Sequence, residues 1–258
     1  MDPRPVVVLL HGALGCGEDW GAVEAALAPT CRVFVPDLLG GEAGLPVADA
    51  FRYGVGDEAE SMLMRIGARV PPHARVHLVG HDYGAVVALE MARRHPERIA
   101  SLVLHEPTRF DLLVEGFDRD FVASLQRPVE LLVARGLVAG AARMYHDFWH
   151  GPGRFDALDE CRRDRLSALA AKLVLELRAM TEPPAGPMGE AASRVRTTLV
   201  AGTQSFQITR RMVERLAGQL RNASLTWIDG DHLSPLTEPE KFVAVLRRVL
   251  PAVERAAA

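Results

Sequence analysis

Cysteine is scarce in this 258-residue chain, with only Cys16, Cys31 and Cys161 present. They make no Cys-x-x-Cys pair and no metal-type spacing, which excludes a disulfide framework and a zinc module; an odd, sparse set of thiols fits a reducing compartment. A surplus of either charge is also lacking, since 30 Lys and Arg stand against 33 Asp and Glu. Nucleic acid and anionic membrane surfaces are therefore not expected partners. No apolar run reaches the length of a bilayer span: the opening MDPRPVVVLLHG is too short, and no cleavage-site pattern follows it. Repeats and low-complexity tracts are missing too, apart from a short alanine-rich C-terminal tail. The expectation is a cytoplasmic protein that handles a small-molecule substrate and needs no cofactor or metal; a homodimer is left open.

What is present is an ordinary globular composition, 48% apolar and 24% charged, in a length that suits one large α/β domain with a modest insertion. Short apolar runs of β type recur at Val6–Leu10, Arg32–Val35, Val76–Val79, Ile99–Leu104 and Thr197–Ala201, with a weaker sixth at Leu225–Ile228. Their nearly continuous apolar character, without alternation, suits strands covered on both faces, as in a parallel sheet. Helical patterns separate most of them, at Trp20–Leu27, Glu58–Arg69, Gly84–Arg94, Thr209–Leu216 and Glu240–Leu250. The alternation predicts an α/β fold with a doubly wound, mostly parallel sheet. It breaks between about Phe110 and Ala192, where the patterns are helical only (119–126, 128–135, 141–150 and 161–177), and TEPPAGPMGE then reads as a linker. We expect a core of residues 1–109 and 193–258, with 110–192 inserted as a helical lid.

The chemistry concentrates in VHLVGHDYGAVVALEMARRHPERIASLVLHEP. An apolar strand ends at a glycine, Asp82 stands at the tip of a tight turn, and a helix pattern starts at once. Two readings of Asp82 are open. As a preferred N-cap residue it could close the following helix. As the centre of a strand–Gly-x-Asp-x-Gly–helix layout it would be a nucleophile elbow, whose strained turn exposes one side chain above the sheet. The helix N-terminus beneath such a turn favours a negative charge.

Five stretches, taken in order, resemble the α/β-hydrolase superfamily over nearly the whole chain. VVVLLHGALGCGEDW resembles its first strand and oxyanion loop, VHLVGHDYGA its elbow and HPERIASLVLHEP the next strand. TTLVAGTQSFQIT resembles the acid-bearing strand and loop, and IDGDHLSPLTEPEKF the loop of the catalytic histidine with the last helix. The resemblance implies Asp82 as nucleophile and His232 as base, as in epoxide hydrolases and haloalkane dehalogenases. The carboxylate attacks a saturated carbon to give an alkyl ester, and a water deprotonated by histidine hydrolyses it. It also implies the backbone N–H groups of Ala13 and Tyr83 as the oxyanion or leaving-group site. His11 and Gly12 shape that loop.

Three departures stand out. The position where the family usually carries its acid reads Ser205, which cannot stabilise an imidazolium as a carboxylate does. Glu106, at the end of the strand after the elbow, is the replacement, as in one group of dehalogenases; it could instead pin a loop. The oxyanion loop reads HGAL where epoxide hydrolases and dehalogenases usually have HG-x-P, and Tyr83 replaces the tryptophan that often follows the nucleophile. Asp229 and Asp231 read as loop and turn residues.

Within the lid, Tyr145, His146, Trp149 and His150 crowd one and a half helical turns. Tyr145 and Trp149 share one face and the two histidines another. A two-histidine zinc site lacks a third ligand nearby. Packing of the aromatics onto the core competes with a substrate-binding role for Tyr145, His146 and Trp149, in which Tyr145 would hydrogen-bond the leaving oxygen of an epoxide. With three tyrosines in the chain (Tyr53, Tyr83, Tyr145), a lid pair of them is not available.

The expected function is hydrolysis of a small to mid-sized apolar substrate, an epoxide before a carbon–halogen bond. Attack of a carboxylate on an ordinary ester would give a mixed anhydride, a poorer intermediate than a serine ester. The alternatives are a non-hydrolytic cyclase or isomerase with Asp82 and His232 as an acid–base pair, an ester- or lactone-hydrolase-like protein, and a ligand-binding member without turnover.

Overall fold

The apolar runs of the sequence become a single sheet because their side chains are covered from both sides. In the computed structural model, which describes residues 2–41, 53–71, 73–182 and 190–250, the strands are Val6–Leu10 (β1), Arg32–Phe34 (β2), Val76–His81 (β3), Ile99–His105 (β4), Thr197–Gly202 (β5) and Ala223–Ile228 (β6). All neighbours pair in parallel, in the order β2-β1-β3-β4-β5-β6. Every residue of β3 and β5 is buried, whereas β6 at the sheet edge is buried only at Ile228. An edge strand covered on fewer sides carries a mixed pattern, which is why the sixth run is the weak one in the sequence.

The helices are Gly21–Leu27 (α1), Val55–Gly67 (α2), Tyr83–Arg94 (α3), Gly116–Ala134 (α4), Val138–His150 (α5), Glu160–Ala168 (α6), Ala170–Thr181 (α7), Glu190–Ser193 (α8), Gln207–Gln219 (α9), Ser234–Thr237 (α10) and Pro239–Val249 (α11). The chain runs out from β1 to β2, then crosses back over β1 to place β3 on its other side. That reversal makes a crevice above the carboxyl ends of β1 and β3, the usual ligand position in an open α/β sheet. His11 and Gly12 leave β1 there, and Asp82 leaves β3.

The helical excursion between β4 and β5 contains α4 to α7 and the short α8, with two differences from the sequence reading. The patterns 119–126 and 128–135 form one helix, α4, with Pro128 inside it. Proline removes one hydrogen bond and strains one turn, but Val122, Leu125 and Val129 are buried along one face and hold both halves on one axis. The pattern 161–177 is instead two helices, α6 and α7, meeting at Leu169. The linker residues 183–189 and the alanine-rich tail at 251–258 lie outside the described residues. No described helix is long and apolar enough to cross a membrane.

Candidate active site

The elbow takes its shape from what its neighbours leave room for. Asp82 has φ 52 and ψ −120, between the last residue of β3 and the first of α3. A non-glycine residue in such a conformation costs about 1–3 kcal/mol and persists only where its surroundings hold it. Here the Asp82 N–H donates to the His105 carbonyl at 3.1 Å, and its own carbonyl accepts from Ala85 N–H at 3.1 Å. Gly84 lets the turn close, since a Cβ there would collide with the carbonyl oxygens of Leu10 and His11. Gly80 does the same against the backbone of Ala85.

Asp82 makes no side-chain capping bond to α3, so the N-cap reading does not describe its carboxylate. Instead Oδ2 accepts the Ala13 N–H at 2.8 Å and the Tyr145 O–H at 3.4 Å. Oδ1 is buried, has no hydrogen-bond partner among the described residues, and lies 3.9 Å from His232 Nε2. A buried carboxylate oxygen without a donor is rare in a stable structure.

His232 lies in the loop after β6 and is fixed from three sides. Its Nδ1 is 3.0 Å from Glu106 Oε2, which places the proton on Nδ1 and the lone pair on Nε2, toward Asp82. Its carbonyl accepts from His81 Nε2 at 2.8 Å, and the carbonyl of Asp231 accepts from His105 Nε2 at 3.1 Å. The Trp149 indole stacks on its ring with centroids 3.7 Å apart at 20°.

Glu106 is fully buried at the end of β4, with φ 44. Its Oε1 accepts from Gly202 N–H at 2.7 Å and from Ser205 O–H at 2.5 Å. Burial pushes the Glu106 carboxyl up, but the His232 hydrogen bond, the nearby His105 and Ser205 outweigh it and hold the group at about 2. Ser205 is thus a contributor the sequence reading missed. It stands where the resemblance expected an acid, and it orients the acid supplied by the neighbouring strand.

The structure therefore brings Asp82, His232, Ala13 and Tyr145 together around one small cleft of about 80 Å³, also lined by His146 and Trp149, with Glu106 buried behind His232. Tyr83 is the exception. Among the described residues its N–H gives the Asp82 carboxylate no hydrogen bond, and its hydroxyl turns away to lie 2.9 Å from that of Tyr53. His146 stacks on His150 with centroids 4.0 Å apart at 6°. His11 is a loop anchor: Nε2 accepts the Leu38 N–H at 3.0 Å and Nδ1 donates to the Gly12 carbonyl at 2.8 Å. Burial, reinforced by Asp82, keeps the Tyr145 phenol well above its ordinary value, so it stands as a proton donor.

Buried imidazoles make stability depend on acid. Burial, with Lys172 nearby, lowers His11 to about 4, and burial lowers His77 and His105 to about 4 as well; burial also holds His81 well below its ordinary value. Between the unfolded value of 6.5 and about 4 the unfolded chain binds more protons, so stability falls as pH drops through that window. At pH 5, His11 and His105 each account for a loss of about 2 kcal/mol. Glu176, raised by burial to about 7, acts in the opposite sense over the same range, but one carboxyl does not offset four imidazoles. Urea unfolding is expected to give a free energy several kcal/mol lower at pH 5 than at pH 7.5; equal values would show these histidines to be solvated.

The family model described as alpha/beta hydrolase fold matches residues 5–239. A Rhizobium rhizogenes protein named as a carbamate hydrolase, RutD, is 30% identical over 263 residues, covering 95% of this chain and 92% of that one. MGS-M2, an alpha/beta hydrolase enzyme from a Medee basin deep-sea metagenome library, superposes with a TM-score of 0.79 at 14% identity, over 100% of this chain and 94% of that one. The enol-lactonase of Burkholderia xenovorans gives a TM-score of 0.73 at 17% identity, over 95% and 90% of the two chains.

Proposed function

The chain belongs to the α/β-hydrolase fold family, and from that premise we propose that it hydrolyses a small electrophilic substrate, an epoxide before an alkyl halide, through a covalent ester on Asp82. The observation that carries the reading is the division of labour between the two carboxylate oxygens of Asp82, which lines the cleft: Oδ2 is occupied by the Ala13 N–H, while Oδ1 has no hydrogen-bond partner among the described residues.

In the first step Oδ1 attacks an epoxide carbon, the ring C–O bond breaks, and the ring oxygen takes the Tyr145 proton. The timing is favourable because esterification removes the negative charge of Asp82, which until then helps hold that proton on Tyr145. In the second step His232 Nε2 takes a proton from water as its oxygen attacks Cγ of Asp82. The charge then develops on Oδ2, already against the Ala13 N–H, where a fixed donor is most effective. Glu106 stabilises the imidazolium. Collapse breaks the bond between Cγ and the alkyl oxygen, and the two protons of that water return to the departing oxygen and to Tyr145. Helices α4 to α7 act as a lid that keeps bulk water out.

A second reading draws on the full-length likeness to a protein named as a carbamate hydrolase. There Asp82 and His232 would act as a base pair on water that attacks the substrate directly.

A single turnover in ¹⁸O-water separates the two. Because water attacks Cγ, the covalent route puts the label into the Asp82 carboxylate and leaves the first product unlabelled. Label in the first product with none in Asp82 would overturn the covalent route in favour of direct attack, and label in neither would mark a non-hydrolytic enzyme.

A further inference from the structure

Beside the oxyanion loop lies a set of buried charges that the two-step reaction does not use. Lys172 and Glu176, one turn apart on α7, and Glu58 on α2 are all buried. Lys172 Nζ stands 2.9 Å from Glu176 Oε1 and 3.5 Å from Glu58 Oε1. The two carboxylates then reach two different segments that adjoin Asp82. Glu176 Oε2 accepts the N–H of Leu14 at 3.4 Å, and Leu14, the residue after Ala13, is held at φ 59. Glu58 accepts the Tyr53 O–H at 2.5 Å, and the Tyr53 hydroxyl is 2.9 Å from that of Tyr83, the residue after Asp82.

Stability alone does not account for this arrangement, because replacing buried ion pairs by apolar groups of similar volume is often neutral or stabilising. A positional role does. Leu14 sits in a left-handed conformation that a β-carbon disfavours, and it needs an outside partner to stay there. The turn that fixes Leu14 also aims the preceding amide, Ala13 N–H, at Asp82 Oδ2.

We propose that Glu176, held by Lys172 and through it by Glu58, is a positioning residue that sets the Ala13 amide for the second step, so that insertion helix α7 is part of the catalytic geometry. This rests on the covalent two-step reading. The Ala13 N–H is needed most when charge builds on Oδ2 during hydrolysis of the ester. Loosening it therefore slows ester breakdown more than ester formation.

Glu176→Gln is the direct test because it leaves no cavity. An amide offers one oxygen where the carboxylate offers two: with the oxygen on Lys172, its NH₂ faces the Leu14 N–H and that bond is lost. Glu176→Ala is the second variant; it leaves Lys172 paired with Glu58, so no buried charge is stranded. In both, kcat should fall about 10- to 100-fold, less than or comparable to deleting an oxyanion donor. KM should fall with it, and intact mass should show the alkyl ester accumulating at steady state. A kcat within twofold of wild type, or a fall in kcat without ester accumulation, would overturn the proposal. A His232→Gln variant run alongside keeps the two levels apart: if it too shows no ester, the covalent reading itself has failed.

Discussion

Glu106→Gln is expected to lower turnover by about 10⁴-fold while the protein stays folded, the scale seen when an orienting carboxylate that sets a histidine tautomer is made neutral. The geometry leaves the new amide little choice of orientation. Two donors, Gly202 N–H and Ser205 O–H, already converge on Oε1, so the amide oxygen goes there and the NH₂ faces His232 Nδ1. A donor at that point stabilises the tautomer with its proton on Nε2, and that nitrogen can then no longer accept a proton from water. Far-UV circular dichroism and thermal unfolding check the fold, and single-turnover kinetics locate the loss in ester hydrolysis. Near-normal turnover would make Glu106 a loop anchor and leave His232 without a charged partner.

Much of this constellation is legible in the sequence because it is local. The Gly-x-Asp-x-Gly turn follows an apolar run and leads straight into a helix pattern, so the elbow can be read from its own segment, although the backbone that requires Gly84 is that of Leu10 and His11 at the end of β1. His232 sits in a loop between a strand and a helix, and Glu106 ends the strand after the elbow. In a parallel sheet such strand ends gather at one edge.

The rest depends on packing between distant segments. Ser205 reads as a loss because its partner, Glu106, lies across β4 and β5, 99 residues away. Tyr83 reads as an oxyanion residue through its backbone N–H; that its hydroxyl meets that of Tyr53 shows only once α2 packs beside the elbow. Trp149 is placed beside Tyr145 by helical spacing, yet only docking of α5 on the core reveals that it covers the His232 ring. Lys172, Glu176 and Glu58 are ordinary helix-surface residues in sequence; burial makes them a cluster when α7 meets α2. Pro128 reads as a helix end because the pattern does not record the buried face that carries α4 past it.

The nucleophile itself is tested by replacing the base. A serine hydroxyl needs its histidine at the first step, because it must lose a proton to attack. A carboxylate does not, so with His232 replaced by glutamine the first step should survive and the second stop. Turnover should fall to background while one substrate molecule remains bonded to each protein. Glutamine keeps the side chain polar and of similar reach, and the ester then lacks only its base. Intact mass spectrometry of His232→Gln, incubated with an epoxide or alkyl halide that the wild type turns over, is the measurement. An increase by the whole epoxide, or by the alkyl group of the halide, is expected. Peptide mapping should place it on Asp82, and the Asp82→Asn/His232→Gln double variant should lose it. An unmodified His232→Gln protein under those conditions would contradict a covalent role for Asp82.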